Sequence, residues 1–148
     1  MQTISLRIGV TGANGWVGRA LCEHLHRQGH SVVALSRRNP DLNGVLWRQV
    51  GQIDGQTSWS NALRGVQAVV HCAGHAHQMG TGADTQPETY FRVNTDGTFA
   101  LVRAAHAAGV KRLVFVSSVK ALGEATPMDA PWHAHSEPHP VDLSLIHI

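Results

Sequence analysis

The sequence predicts an α/β protein, a doubly wound parallel sheet with helices on both faces. Three observations carry that prediction. Short apolar runs alternate along the chain with segments of helical period, the order that builds strand–helix–strand units. The apolar runs are continuous rather than alternating in and out, which suits parallel strands covered on both faces. Three glycines, Gly12, Gly15 and Gly18, stand at equal intervals between the first apolar run and the first helical one, in RIGVTGANGWVGRALCEHL. Right-handed crossovers then wind such a sheet outward in both directions.

The elements follow in order. ISLRIGV ends in the first strand. GWVGRALCEHLHRQG sets Val17, Leu21, Cys22 and Leu25 at helical spacing and closes on Gly29, a C-terminal cap. HSVVALS, rich in β-branched residues, is the second strand, and NPDLNG is turn chemistry. GVLWRQV predicts a third strand, and TSWSNALRG a short helix with Ser or Thr at its start. VQAVVHCAG is a buried fourth strand. From about Glu88 to Gly109 the chain predicts one long helix, with Phe91, Val93, Ala100, Leu101 and Ala104 available for packing. Its internal Gly97 costs about 1 kcal/mol relative to alanine, which points to a close contact there. VKRLVFVSS is the fifth strand. Beyond Gly123 prolines and histidines follow without period, so that stretch reads as loop.

Bulk composition narrows the class. A chain of 148 residues suits one domain, and 43% hydrophobic with 15% charged residues is ordinary for a soluble globular protein. A formal charge of +2 gives no electrostatic case for nucleic acid or a membrane surface. The 11 histidines make the net charge sensitive to acid. Cys22 and Cys72 lie inside apolar patterns and read as buried free thiols, which fits a reducing compartment. There is no basic start with a long apolar core, and no apolar stretch near the ~18 residues of a membrane span, so the expectation is cytoplasmic.

The glycines explain themselves physically. The first strand-to-helix turn of such a sheet lies at its carboxyl edge, beside the crevice where strand order reverses. Glycines let the chain turn sharply, bring N–H groups near a ligand and pack the helix close to the strand. The helix start carries roughly +0.5 of an elementary charge and unpaired donors, which suits a pyrophosphate. The spacing is Gly-x-x-Gly-x-x-Gly after Thr11, and Val17, Gly18 and Arg19 replace the Gly-Lys-Ser/Thr ending of an ATP-binding P-loop.

VTGANGWVG, VQAVVHCAG, VNTDGTFALVRAAHAAGVKRLVFVSS and SSVKALGE together resemble the extended short-chain dehydrogenase/reductase superfamily. Within it they are similar to the NAD-dependent epimerase/dehydratase branch, which acts on nucleoside-diphosphate sugars. The similarity runs from about Leu6 to Asp142. It implies a Rossmann-like NAD(P)-binding domain over residues 1–142, incomplete at its C-terminus, and a nucleotide-sugar partner for the full-length parent. A homodimer through a helix pair that includes the long helix is a further implication. The ending LSLIHI, residues 143–148, matches nothing expected there and reads as an anomalous tail.

The resemblance also distributes roles. Asn14, Trp16 and Val17 belong to the cofactor-binding turn, with Trp16 read as packing or as a lid over the helix start. The residue that reads the adenosine ribose, usually acidic, falls on Ser36, followed by Arg37 and Arg38. Serine does not repel a 2′-phosphate and guanidinium can hold one, which favours NADP over NAD; a solvated turn is the other reading. Gln52 stands where the family often has an acid near adenine, with Ile53 beside it. Cys72, Ala73 and Gly74 match the turn after the fourth strand, and Val116 the end of the fifth. Asn94 matches a helix asparagine that fixes active-site backbone.

In such enzymes a tyrosine and a lysine four residues later take the proton from a substrate hydroxyl, and a serine bonds the same oxygen. Ser118 matches that serine, beside Ser117. SEPHPVD resembles the approach to Tyr-x-x-x-Lys, yet Tyr90 is the only tyrosine and lies in the long helix, so the chain as given is expected to be inactive. His71, His75 and His77, and likewise His133, His135 and His139, lack a cysteine partner at zinc-type spacing, so no metal is expected. His75 and His77 are read as flanking the crevice. The leading reading is a nucleoside-diphosphate-sugar epimerase or dehydratase. The alternatives are an NADP-dependent carbonyl reductase of the same superfamily and a non-catalytic dinucleotide-binding regulator.

Overall fold

A computed structural model describes residues 4–75, 87–126 and 128–141. Its strands are β1 (Arg7–Thr11), β2 (Ser31–Ser36), β3 (Leu46–Gln49), β4 (Ala68–His71) and β5 (Arg112–Phe115). They form one sheet of order β3-β2-β1-β4-β5, and every pairing is parallel. The chain moves one way from β1 to β3 and the other way from β4 to β5. The crevice at that reversal therefore opens above the carboxyl ends of β1 and β4, where Thr11 pairs with His71.

Helix α1 (Trp16–Arg27) ends as the glycine predicted. Gly29 has φ of 85°, its N–H bonds His26 O at 2.9 Å, and His30 N–H bonds Leu25 O at 3.1 Å. This paired closure satisfies two terminal carbonyls at a left-handed position that glycine adopts without strain. The long helix is present but not uniform. It opens as α2 (Pro87–Tyr90), widens into a π-helical segment (Phe91–Asp96) and continues as α3 (Gly97–Ala107).

The short helix expected in TSWSNALRG does not form. Only turns span it, with Leu63 N–H bonded to Trp59 O at 2.9 Å. Trp59, Ala62, Leu63 and Val66 all enter the core within this short span. The Arg48 guanidinium meanwhile takes the carbonyls of Ala62 at 2.9 Å and Arg64 at 2.7 Å.

Two cores lie on opposite faces of the sheet. Val33 and Leu35 of β2 pack with Trp59, Leu63, Val69 and Leu101. Their neighbours Val32 and Ala34 pack with Val10 and Cys22 of the α1 layer. Strict alternation along β2 thus feeds two apolar layers, which is why its sequence is an unbroken apolar run. Ala100 and Leu101 are buried as expected, whereas Phe91 is 46% exposed and is not a core residue. The outermost strand β5 is half covered, with Val114 at 45% exposure. Among the described residues no helix is long and apolar enough to cross a membrane.

Candidate functional site

The glycine turn is built by close backbone contact. Gly12 has φ of 68°, and a Cβ there would lie 2.8 Å from Ala73 N, so β1 and β4 meet without a side chain between them. Gly15 N–H closes the turn on Gly12 O at 2.8 Å. A Cβ on Gly18 would fall 2.3 Å from the same Gly12 O, so the helix can dock on the turn only through a glycine. Gly15 caps α1 without a side-chain bond, and the first turn of the helix carries no acid. The amides of Trp16, Val17 and Gly18 therefore begin the helix with no intrahelical acceptor.

A cavity of about 670 Å³ opens at this edge of the sheet. The turn after β1 contributes Gly12, Asn14 and Gly15, and the end of β2 contributes Ser36, Arg37 and Arg38. Gln52 and Ile53 line it after β3, and Cys72, Ala73, Gly74 and His75 after β4. Thr89, Arg92 and Val93 close it from the α2 and π-helical segments. The sequence reading missed Thr89 and Arg92, and it placed Val93 in the core. Their only signal was their i, i+3, i+4 spacing, which marks one helix face but not what that face meets.

The electrostatics of this lining are one-sided. Among the described residues it includes Arg37, Arg38 and Arg92 and no aspartate or glutamate. An ion pair, Arg19–Glu23, lies on the exposed side of α1. Ser36, 7% exposed, spends its hydroxyl on Arg38 O at 2.8 Å. It thereby fixes the bend that presents both arginines.

Beneath the cavity lies a polar joint that the sequence reading also missed. Thr11 Oγ1 accepts the N–H groups of Cys72 at 3.2 Å and Ala73 at 3.1 Å. It also contacts His71 Nδ1 at 2.6 Å. His71 Nε2 reaches Thr98 Oγ1 at 3.1 Å. Burial pushes the His71 pKa down to about 4, so the ring is neutral near pH 7. Asn94, also buried, holds His75 from both sides: its Oδ1 accepts His75 N–H at 2.7 Å and its Nδ2 donates to His75 O at 2.9 Å. The His75 ring in turn meets Tyr90 edge-on, 4.7 Å between centroids.

Other expected site residues stand outside the lining. Trp16 is 96% exposed and Val17 60%, so Trp16 neither packs nor covers the helix start, and its indole is open to solvent. Gly18 acts from below, through its contact with Gly12. Val116 continues the sheet ladder by donating its N–H to His71 O at 3.0 Å. Ser118 Oγ accepts Lys120 N–H at 3.2 Å and caps the short 3-10 turn Val119–Leu122. The thiols are free, and burial raises the pKa of both, Cys22 to about 12. Among the described residues no group of three or more His, Cys, Asp or Glu is placed to hold a metal. His77 and the tail over 143–148 lie outside the described residues.

Comparison with known proteins agrees with this architecture. The model of the NAD dependent epimerase/dehydratase family matches residues 8–142. The chain belongs to that family. A UDP-glucose 4-epimerase of Vibrio cholerae is 36% identical over 90% of this chain and 41% of its own length. A 2-alkyl-3-oxoalkanoate reductase of Stenotrophomonas maltophilia is 35% identical over 82% of this chain and 36% of its own. Among solved structures, a short-chain dehydrogenase/reductase superfamily protein of Agrobacterium tumefaciens with bound NAD superposes with a TM-score of 0.78. It is 34% identical, over 95% of this chain and 41% of that one. This epimerase/dehydratase-family chain thus spans about two fifths of the length of each of these three proteins.

Proposed function

We propose that the cavity binds NAD(P) and that an intact protein carrying this domain interconverts a nucleoside-diphosphate sugar. The observation that carries the reading is the Gly12–Gly18 cradle, which a single Cβ would fill, at the uncapped start of α1 and the mouth of a cavity whose described lining holds arginines and no acid. Residues 1–142 form the cofactor-binding part on this reading. The amides of Trp16 and Val17, with Asn14 and Gly15 beside them, take the diphosphate. Arg37 and Arg38 take the adenosine 2′-phosphate, which favours NADP; Gln52 and Ile53 flank the adenine.

When bound, the nicotinamide supplies reversible hydride acceptance, so that a sugar hydroxyl can be oxidised and the ketone later reduced on its other face. The chain's own part is to bind and to orient. Asn94 fixes the His75 backbone along the β4 rim, and Ser118 bonds the substrate oxygen once its hydroxyl leaves Lys120 N–H. The 148 residues hold one tyrosine, Tyr90, 1% exposed and followed four residues on by Asn94, so they present no Tyr-x-x-x-Lys base. Residues 1–148 alone are therefore expected to turn over no substrate, and detectable epimerisation by them would overturn that expectation.

Calorimetric titration of the 148-residue chain with NADP and NAD tests the cofactor. Tighter NADP supports the arginines' role, equal or tighter NAD removes it, and binding of neither removes the cavity assignment. The similarity to an oxoalkanoate reductase, together with the three arginines, supports a second reading, an NADP-dependent carbonyl reductase. An intact protein that interconverts UDP-sugars without net NADPH consumption supports the epimerase. Net consumption on a ketone supports the reductase.

A further inference from the structure

We infer that His71 is a positioning residue: held as its Nε2–H tautomer by Thr98, it orients the Thr11 hydroxyl so that both its lone pairs face the N–H groups of Cys72 and Ala73 on the cavity floor. The inference deepens the dinucleotide reading and rests on it for its functional consequence.

A threonine hydroxyl has one hydrogen to donate and two lone pairs to accept with. Thr11 Oγ1 meets three partners, and two of them, Cys72 N–H and Ala73 N–H, can only donate. Both lone pairs are thereby used. The third partner, His71 Nδ1 at 2.6 Å, must then accept the Thr11 proton. A neutral imidazole with an unprotonated Nδ1 carries its proton on Nε2, and Nε2 finds an acceptor in Thr98 Oγ1 at 3.1 Å. Each bond in the chain from α3 through β4 and β1 to the floor has one permitted direction. Thr11 is fully buried and His71 is 1% exposed, so no solvent competes for these groups.

The outcome reaches the cavity because Cys72 and Ala73 line it, and because Ala73 N is the atom that a Cβ on Gly12 would strike. A Thr11 hydroxyl turned the other way would aim its hydrogen at two N–H groups. The β4 turn would then move away from the glycine loop, and the two walls of the diphosphate site would part.

The test compares His71→Gln with His71→Leu. The glutamine amide carries an acceptor and a donor about as far apart as the two ring nitrogens and restores the order of bonds; leucine fills space alone. Expected for the wild type is a nitrogen NMR spectrum near neutral pH with Nδ1 unprotonated and Nε2 protonated; a protonated Nδ1 overturns the inference. Hydrogen exchange of the Ala73 amide is expected to be slow in wild type and His71→Gln and fast in His71→Leu. Dinucleotide affinity of the folded protein is expected to fall roughly tenfold in His71→Leu and to return in His71→Gln. Equal affinity and equal exchange in the two variants overturn the positioning role. Should His71→Leu not fold, Thr98→Val removes only the far anchor and is read against Thr98→Ser in the same way. A wild type that binds no dinucleotide overturns the cofactor reading alone, because the ring-nitrogen state and the Ala73 exchange still decide the role of His71.

Discussion

Gly97 and Ile53 are in contact that no other residue at position 97 could permit without movement: a Cβ there would stand 2.5 Å from Ile53 Cγ2 and 3.3 Å from Asp54 N. The contact lies where the π-helical segment passes into α3, and it seats the residue that borders the cavity after β3. Gly97→Ala therefore sets two effects against each other. Alanine favours the helix by about 1 kcal/mol, whereas overpacking typically costs about 1–3 kcal/mol. The steric term wins, because Ile53 is β-branched and backbone stands behind it. Urea unfolding is expected to show a net loss of about 1 kcal/mol, and a gain would show that Ile53 yields freely.

Gly18→Ala is the harsher substitution. Its Cβ would meet Gly12 O at 2.3 Å, and a carbonyl inside a tight turn has no rotamer to change. A loss of about 3 kcal/mol is expected, with dinucleotide binding lost as well. Gly29→Ala is the control. Nothing lies within 4 Å of its Cβ, but φ is +85°, so only the left-handed backbone penalty of about 1–2 kcal/mol applies. Similar unfolding midpoints for the two variants would remove the distinction between clash and strain.

The His71 shift sets a pH dependence whose sign can be worked out. Its folded pKa of about 4 lies below the ordinary 6.5, and burial alone causes the shift. Between those values the unfolded chain takes up a proton and the folded one does not, so stability falls as the pH drops. The contribution is complete above about 6.5, declines towards 4 and amounts to about 3 kcal/mol. The difference between wild type and His71→Gln isolates this residue: wild type is expected to lose more stability from pH 7 to pH 4. Parallel curves would show that His71 titrates normally.

What the sequence disclosed, and what it did not, follows from the range of the interactions. Strand and helix identities, the parallel sheet and the Gly29 cap rest on local period and backbone chemistry, and these lie within a few residues of each other. The residues that meet at the strand ends were legible through Gly12, Ser36, Gln52 and Ala73, because a parallel α/β sheet gathers its turns on one edge. The joint of Thr11, His71 and Thr98 was not legible, since it spans strands and a helix far apart in the chain. The turns that replace the helix expected in TSWSNALRG were hidden for the same reason: Trp59 and Leu63 share a core with Val33 and Leu35 of β2, remote in sequence. Trp16 misled because an aromatic residue invites a packing role, while here it stands 96% exposed at the helix start.

The three guanidiniums around the cavity make separable predictions. Arg37 and Arg38 follow Ser36 at the end of β2, whereas Arg92 reaches the lining from the π-helical segment, with Thr89 and Val93. If the first two hold a 2′-phosphate, the variant with both changed to alanine loses about tenfold or more in NADP affinity and little for NAD, since a charged hydrogen bond contributes about 1.5–3 kcal/mol. Arg92 comes from the π-helical segment and not from that bend, so Arg92→Ala is expected to weaken both dinucleotides alike by removing positive potential from a lining with no acid among its described residues. Salt distinguishes the terms again. All three arginines are exposed, and screening shortens from about 10 Å at 0.1 M to about 3 Å at 1 M salt. The longer-range Arg92 effect should therefore fade first, while the direct preference for NADP persists. Equal losses for NADP and NAD in the Arg37, Arg38 variant would show that the two arginines supply general potential and do not read the ribose phosphate.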